Sequence, residues 1–275
     1  MKRRYIFTLA TFLLTSSFTL QAEDYFQRYE NLFQTYPQAL GKLGDWKKGE
    51  IQILTDRDEI EKAERFIYKL NIAKGYSKEA SLEFSKVGII AEDTYFIFIR
   101  DAVMFPSGKY GTYDRIMPKH ALNGPAGVAI LATLPDNKIV TILNFRHATR
   151  TWCIELPRGS REVDESPITA AKRELNEETG YITDKVHLLG HLVPDSGILA
   201  SKYPIYHVKA KMQIEPNHNY SEAISKVMLF TKDELKQALA EGFIQMDIQG
   251  KSRNVLVMDA NISHALLLAE AQGIL

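Results

Sequence analysis

Residues 159–181 read GSREVDESPITAAKRELNEETGY, and the spacing inside them decides the fold. Ser166 before Pro167 is a helix start: the hydroxyl can accept an orphan amide, and proline at the first position gives up an N–H that would have no partner there. Gly180 is the stop, because glycine takes the left-handed conformation past a helix end without a Cβ penalty. Ile168, Ala171 and Leu175 recur at helical spacing and predict the apolar stripe. Glu174, Glu177 and Glu178 stand at i, i+3 and i+4 and share one face. The last two fall near the C-terminus of the helix, where the macrodipole disfavours negative charge, and Arg173 is the local cation. Carboxylates so placed gain from binding a cation, and oxygen-only donors suit Mg²⁺ or Mn²⁺ rather than zinc. A solvated acidic helix face is what the Glu-x-x-Glu-Glu run by itself would predict.

Gly159, Glu165, Arg173, Glu174, Glu177, Glu178 and Gly180 together spell G-x5-E-x7-R-E-L-x-E-E-x-G. This pattern resembles the Nudix box of hydrolases that act on nucleoside diphosphates linked to another group. Seven specified positions coincide by chance on the order of 10⁻⁸ per window. The resemblance implies an α/β (α+β) fold, an α/β/α sandwich with a mixed sheet, spanning about residues 87–275 behind a helical N-terminal region at 23–86. It implies divalent-metal-dependent hydrolysis of a pyrophosphate bond. Glu174, Glu178 and Glu177 are then the ligands of Mg²⁺ (or Mn²⁺), with the carbonyl of Arg158 as a neutral oxygen beside them. Arg173 pairs with Glu165 and holds the helix against the preceding loop. Glu177 is a third ligand or else the orienting carboxylate, and Glu222 is the matching candidate for the base, a surface-loop carboxylate being its alternative.

Around the box, NFRHATRTWCIELPRGSRE (144–162), the G-x-Y-x-R run at 111–115 and Ala126-Gly127-Val128-Ala129 are similar to ADP-ribose pyrophosphatases. The similarity makes Arg146 a phosphate contact, since a guanidinium grips phosphate oxygens in pairs, and Glu155 a residue that orients or supports the site. One marker departs: Ser196 of Pro194-Asp195-Ser196-Gly197 stands where that subfamily carries a proline, so Ser196 and Gly197 are expected to shape the substrate pocket. The expected reaction is ADP-ribose to AMP and ribose 5-phosphate. Another nucleotide sugar or dinucleotide (a GDP-sugar, NADH) and a non-catalytic nucleotide sensor are the alternatives. The resemblance also implies a homodimer.

A formal charge of zero over 275 residues lacks the basic surplus of nucleic-acid coats. Residues 1–22 read as an export signal: Lys2, Arg3 and Arg4, then an apolar run from Tyr5 to Leu20, then Ala22. Export to a periplasm or the exterior is expected, with no stable span after cleavage; an uncleaved N-terminal anchor is the alternative. Cys153 is the single cysteine, which excludes an intramolecular disulfide. Aromatic residues at helical spacing predict a helix over 23–36. Thr55 with Asp58 opens a second carrying Ile60, Ala63, Phe66 and Ile67 on one side, and 77–85 forms a third. Strands are expected at 87–91, 95–99, 127–134, 139–145, 151–156, 186–193, 205–210 and 227–230, with turns at 107–108 and 110–111. Thr231 with Glu234 is a capping box, Gly242 closes that helix, and 262–271 is the last. The seven histidines show no metal-ligand spacing, and Tyr110 and Tyr113 are the aromatic candidates for base stacking.

Overall fold

The structure, a computed structural model, describes residues 25–214 and 223–275. It divides into two compact units, one running to Asn123 and including Gly197–Ala200, the other comprising Gly124–Ser196 and Ser201–Leu275. The expected boundary lay at 86/87. The observed one falls later because the strands after residue 86 pair with one another and pack on the helices before them.

In the first unit α1 (residues 25–35), α2 (Pro37–Leu40), α3 (Arg57–Ala73) and α4 (Lys78–Ser85) accompany β1 (Gln52–Ile53), β2 (Gly88–Glu92), β3 (Phe96–Met104) and β4 (Tyr110–Pro118). β4 lines one edge of β3 along its whole length, from Phe96↔Pro118 to Met104↔Tyr110, while β2 and β1 follow one another along the other edge. The expected turn at Tyr110-Gly111 is therefore strand. Tyr29 and Leu32 of α1 and Ile60 and Ala63 of α3 bury against Ile89, Ile97, Ile99 and Ala102. The helix cap at 55–58 is Asp56, whose carboxylate accepts from the Glu59 amide at 3.1 Å, rather than Thr55.

The second unit holds a mixed sheet. β5 (Gly127–Thr133), β6 (Ile139–Arg146), β7 (Thr151–Glu155) and β8 (Arg158–Ser160) precede α5 (Pro167–Thr179). There follow β9 (Tyr181–Ile182), β10 (Val186–Leu192), β11 (Tyr203–Lys209), β12 (Lys211–Gln213), β13 (Ile224–Phe230), α6 (Lys232–Glu241), β14 (Phe243–Ile248), β15 (Lys251–Leu256) and α7 (Ala260–Ala271). The sheet order is β10-β11-β5-β6-β7-β15-β14, with β13 also on β6 and β8 also on β5; β11/β5 and β15/β7 are parallel. Strand residues alternate between faces, and β5 shows what that achieves. Val128, Ile130 and Ala132 pack with Ala170, Ala171 and Leu175 of α5, while Ala129 and Leu131 join Leu235 of α6 and Ile262, Ala265 and Leu266 of α7. This is the expected α/β/α sandwich. Among the described residues no helix is long and apolar enough to cross a membrane.

Candidate active site

α5 forms as its sequence dictates. The Ser166 hydroxyl accepts from the Thr169 amide at 3.1 Å, Pro167 opens the helix, and Gly180 closes it at φ 73° with its amide on the Asn176 carbonyl. Ala170, Ala171 and Leu175 meet the sheet; Ile168, expected on that stripe, lies in the first turn and is 48% exposed. The three glutamates divide. Glu174 and Glu178 are buried, at 5% and 2% exposure, while the Glu177 side chain is 42% exposed.

β8 brings the other half. It runs antiparallel to β5, with Gly127 opposite Ser160 and Ala129 opposite Arg158. A Cβ on Gly127 would stand 2.5 Å from the Gly159 carbonyl oxygen, and a Cβ on Gly159 would land on the Glu174 carboxylate. Both glycines are thus required by close approach: one lets the strands meet, the other lets a buried carboxylate lie on the turn.

Arg173 is the joint between loop and helix. Its Nε and Nη2 donate to the two Glu165 oxygens at 3.0 Å each, and Nη2 also donates to the Ser160 carbonyl at 2.9 Å. Nη1 donates to Glu174 and to Glu177, both at 2.9 Å. All five guanidinium hydrogens are therefore committed. The Arg173 bonds hold the Glu165 carboxyl below the usual carboxylate range, and the Glu165 bonds in turn raise the Arg173 pKa. The loop is braced again by Arg161, whose Nε donates to the Pro125 carbonyl at 3.0 Å and Nη1 to the Glu165 carbonyl at 2.8 Å.

On the far side of the turn, the Arg158 amide donates to Glu178 at 2.8 Å. The Arg146 Nε donates to both Glu155 oxygens at 2.8 Å, and the Arg158 guanidinium reaches the same carboxylate at 3.3 Å. Glu155 is 2% exposed, so this is a buried acceptor serving two arginines. Burial opposes the charge of Arg158, but Asp259, Glu155 and Tyr203 outweigh it and raise its pKa. Tyr203 and Asn261 complete that cluster through a 2.9 Å hydrogen bond. Sequence patterning singled out none of Arg161, Tyr203, Asp259 or Asn261. The only available signal was Asp259 ahead of an apolar helix, a cap position.

The expected site residues Glu165, Arg173, Glu174, Glu177, Glu178, Arg158, Glu155 and Arg146 thus form two connected hydrogen-bonded groups in one unit. Ser196 is exposed in the loop after β10, and Gly197 begins the four residues counted with the first unit, where the Ile198 carbonyl accepts from Ile116. Tyr110 is tied to Glu59 at 2.7 Å. Glu222 lies outside the described residues.

The donor set suits a hard divalent cation in kind: oxygen only, two carboxylates buried, one against a glycine that leaves it room. Among the described residues no three acidic, histidine or cysteine side chains are gathered as a ready metal cage. Arg173 holds Glu174 and Glu177, and the Arg158 amide holds Glu178.

A family model described as NUDIX domain matches residues 124–246, a span that starts where the second unit starts. ADP-ribose pyrophosphatase of Bacillus subtilis (strain 168) is 37% identical over 90 residues, 33% of this chain and 45% of that protein. Methanol dehydrogenase activator of Bacillus methanolicus is 30% identical over 143 residues, covering 51% and 74%. ADP-sugar pyrophosphatase of Mus musculus is 32% identical over 98 residues, covering 34% and 45%. The chain therefore spans less than half the length of both pyrophosphatases. The crystal structure of an ADP compounds hydrolase superposes with a TM-score of 0.51 at 18% identity, over 69% of this chain and 94% of that one, a likeness of fold.

Proposed function

The chain belongs to the Nudix family, and from that premise we propose that it is a divalent-metal-dependent pyrophosphohydrolase whose substrate is an ADP-linked sugar, ADP-ribose first, cleaved to AMP and ribose 5-phosphate. The observation that carries the reading is the Arg173 joint: one side chain ties the loop carboxylate Glu165 to Glu174 and Glu177 of α5. The sugar choice rests on relatives whose names share an ADP moiety.

Glu174, Glu178 and Glu177 would hold Mg²⁺ or Mn²⁺, which when bound neutralises a diphosphate and lowers the pKa of an attacking water. The chain's own groups do the rest. Arg173 fixes the carboxylates of Glu174 and Glu177 on the helix, so their positions are set before substrate arrives. Glu155 takes two donors of Arg146, and the guanidinium, 36% exposed, keeps its remaining donors for a phosphate oxygen. Glu222 is the proposed proton acceptor. Mn²⁺ titration followed by electron paramagnetic resonance tests the ligand set: Glu174→Gln and Glu178→Gln should each weaken binding, and unchanged affinity in both would refute the assignment.

A further inference from the structure

Away from the box, the end of α3 and its turn into α4 carry an unusual run. Residues 65–78, RFIYKLNIAKGYSK, hold Arg65, Lys69, Lys74 and Lys78 and no carboxylate. α3 turns Ile60, Ala63 and Asn71 inward. Its other side presents Phe66 and Leu70, one helical turn apart and each 39% exposed. Every residue from 72 to 79 is exposed, Ile72 at 39% and Tyr76 at 49% among them. α4 adds Leu82 at 57% and Phe84 at 48%, and the Phe84 ring meets Tyr76 edge-on with centroids 5.6 Å apart. Alongside runs an open groove of about 600 Å³ whose walls include Arg65, Tyr68, Lys78 and Leu82, with Glu61, Glu64 and Glu79 also on it.

We propose that this turn is a docking surface for an anionic lipid bilayer. Charge complementarity selects the partner: Lys69, Lys74 and Lys78, exposed on one turn beside Arg65, which is paired with Glu61, match a layer of negative headgroups. The apolar side chains select a bilayer over a soluble acidic protein. They are spread among the lysines on a turn, not collected into one dry patch, and this is the composition of a segment that sinks into the headgroup–acyl boundary. The lysine stems can lie along apolar surface while their ammonium groups stay in the headgroup layer. The site is independent of the box chemistry.

The test is vesicle flotation of the full chain with phosphatidylcholine alone and with vesicles one-third phosphatidylglycerol. The preference for anionic vesicles should fall roughly 100-fold in Lys69→Gln/Lys74→Gln/Lys78→Gln and collapse in high salt. Residues 1–22 carry Lys2, Arg3 and Arg4 and would also favour anionic lipid, so the turn's own share is the part of the preference lost in the variants, which leave those residues unchanged. A Tyr76→Trp variant reports the site itself: its emission should shift to the blue on anionic vesicles relative to the unsubstituted chain. Because all substituted side chains are exposed, far-UV circular dichroism should be unchanged, and Leu70→Ser/Tyr76→Ser provides a second variant with the lysines intact that should also lose anionic binding. Equal binding to both vesicles, or an anionic preference that survives both variants, overturns the proposal.

Discussion

Arg173 shows most directly how a residue type can be dictated by geometry. Five donors in a planar fork meet five acceptor contacts on Glu165, Ser160, Glu174 and Glu177. Lysine offers three donors at a single point. Arg173→Lys should keep the fold and lower kcat by about 10²-fold, the scale of a misplaced catalytic group, as read by steady-state kinetics. The Glu165 partner predicts a pH effect. Its folded pKa is depressed by Arg173, so the stability it contributes is complete above the unfolded value of about 4.3 and is lost as pH falls through the lower folded value. Urea midpoints of Glu165→Gln measured against pH should lose that acid limb while the unsubstituted chain retains it. The Arg173–Glu165 pair was legible in the sequence because both positions are fixed by the box. The Arg146–Glu155 clasp was not legible as a pair, since which residues face each other across two strands is not set by sequence spacing.

At the level of elements, what the sequence specified best were helix ends. Ser166, Gly180, the Thr231–Glu234 capping box and Gly242 all act as the local chemistry predicts. Their signals lie within a few residues of the bonds they make. The hairpin of β14 and β15 went unread although Ile244, Met246 and Ile248 alternate with Gln245 and Asp247 in β14, because Lys251, Ser252, Arg253 and Asn254 give β15 no apolar alternation, and its pairing, Ile248↔Lys251 through Phe243↔Leu256, supplies the order instead. The expected turn at Ser107-Gly108 is there, with Gly108 at φ 75°, while Tyr110-Gly111 is strand, because a glycine inside a strand mimics punctuation. The β8 turn and α5 make a tighter prediction. Gly159→Ala drives a methyl into the Glu174 carboxylate. It should cost about 1–3 kcal/mol in urea unfolding and abolish most turnover, because the displaced group is a proposed ligand.

Across the whole molecule, the family match and the second unit both begin at Gly124, and the first unit has its own polar anchor. Asp101, 2% exposed, accepts from the Tyr29 hydroxyl at 2.7 Å and from Arg115 at 2.6 Å, tying α1 to β3 and β4. Asp101→Ala leaves the buried Tyr29 hydroxyl without this acceptor and takes one partner from the half-buried Arg115, and should destabilise the first unit by about 1–3 kcal/mol in chemical unfolding. The fold of the second unit was legible because its box and its strand–turn–strand texture are local. The extent of the first unit was not, since it depends on which sheet three strands join, and pairing partners are not written in periodicity.

The central claim is tested most directly by product analysis of the full chain with ADP-ribose, NADH and GDP-mannose, with and without Mg²⁺, beside Glu178→Gln. AMP and ribose 5-phosphate released from ADP-ribose, lost on chelation of the metal and lost again in Glu178→Gln, is the predicted result. Nucleotide bound without turnover of any compound, or turnover untouched by Glu178→Gln, would contradict it.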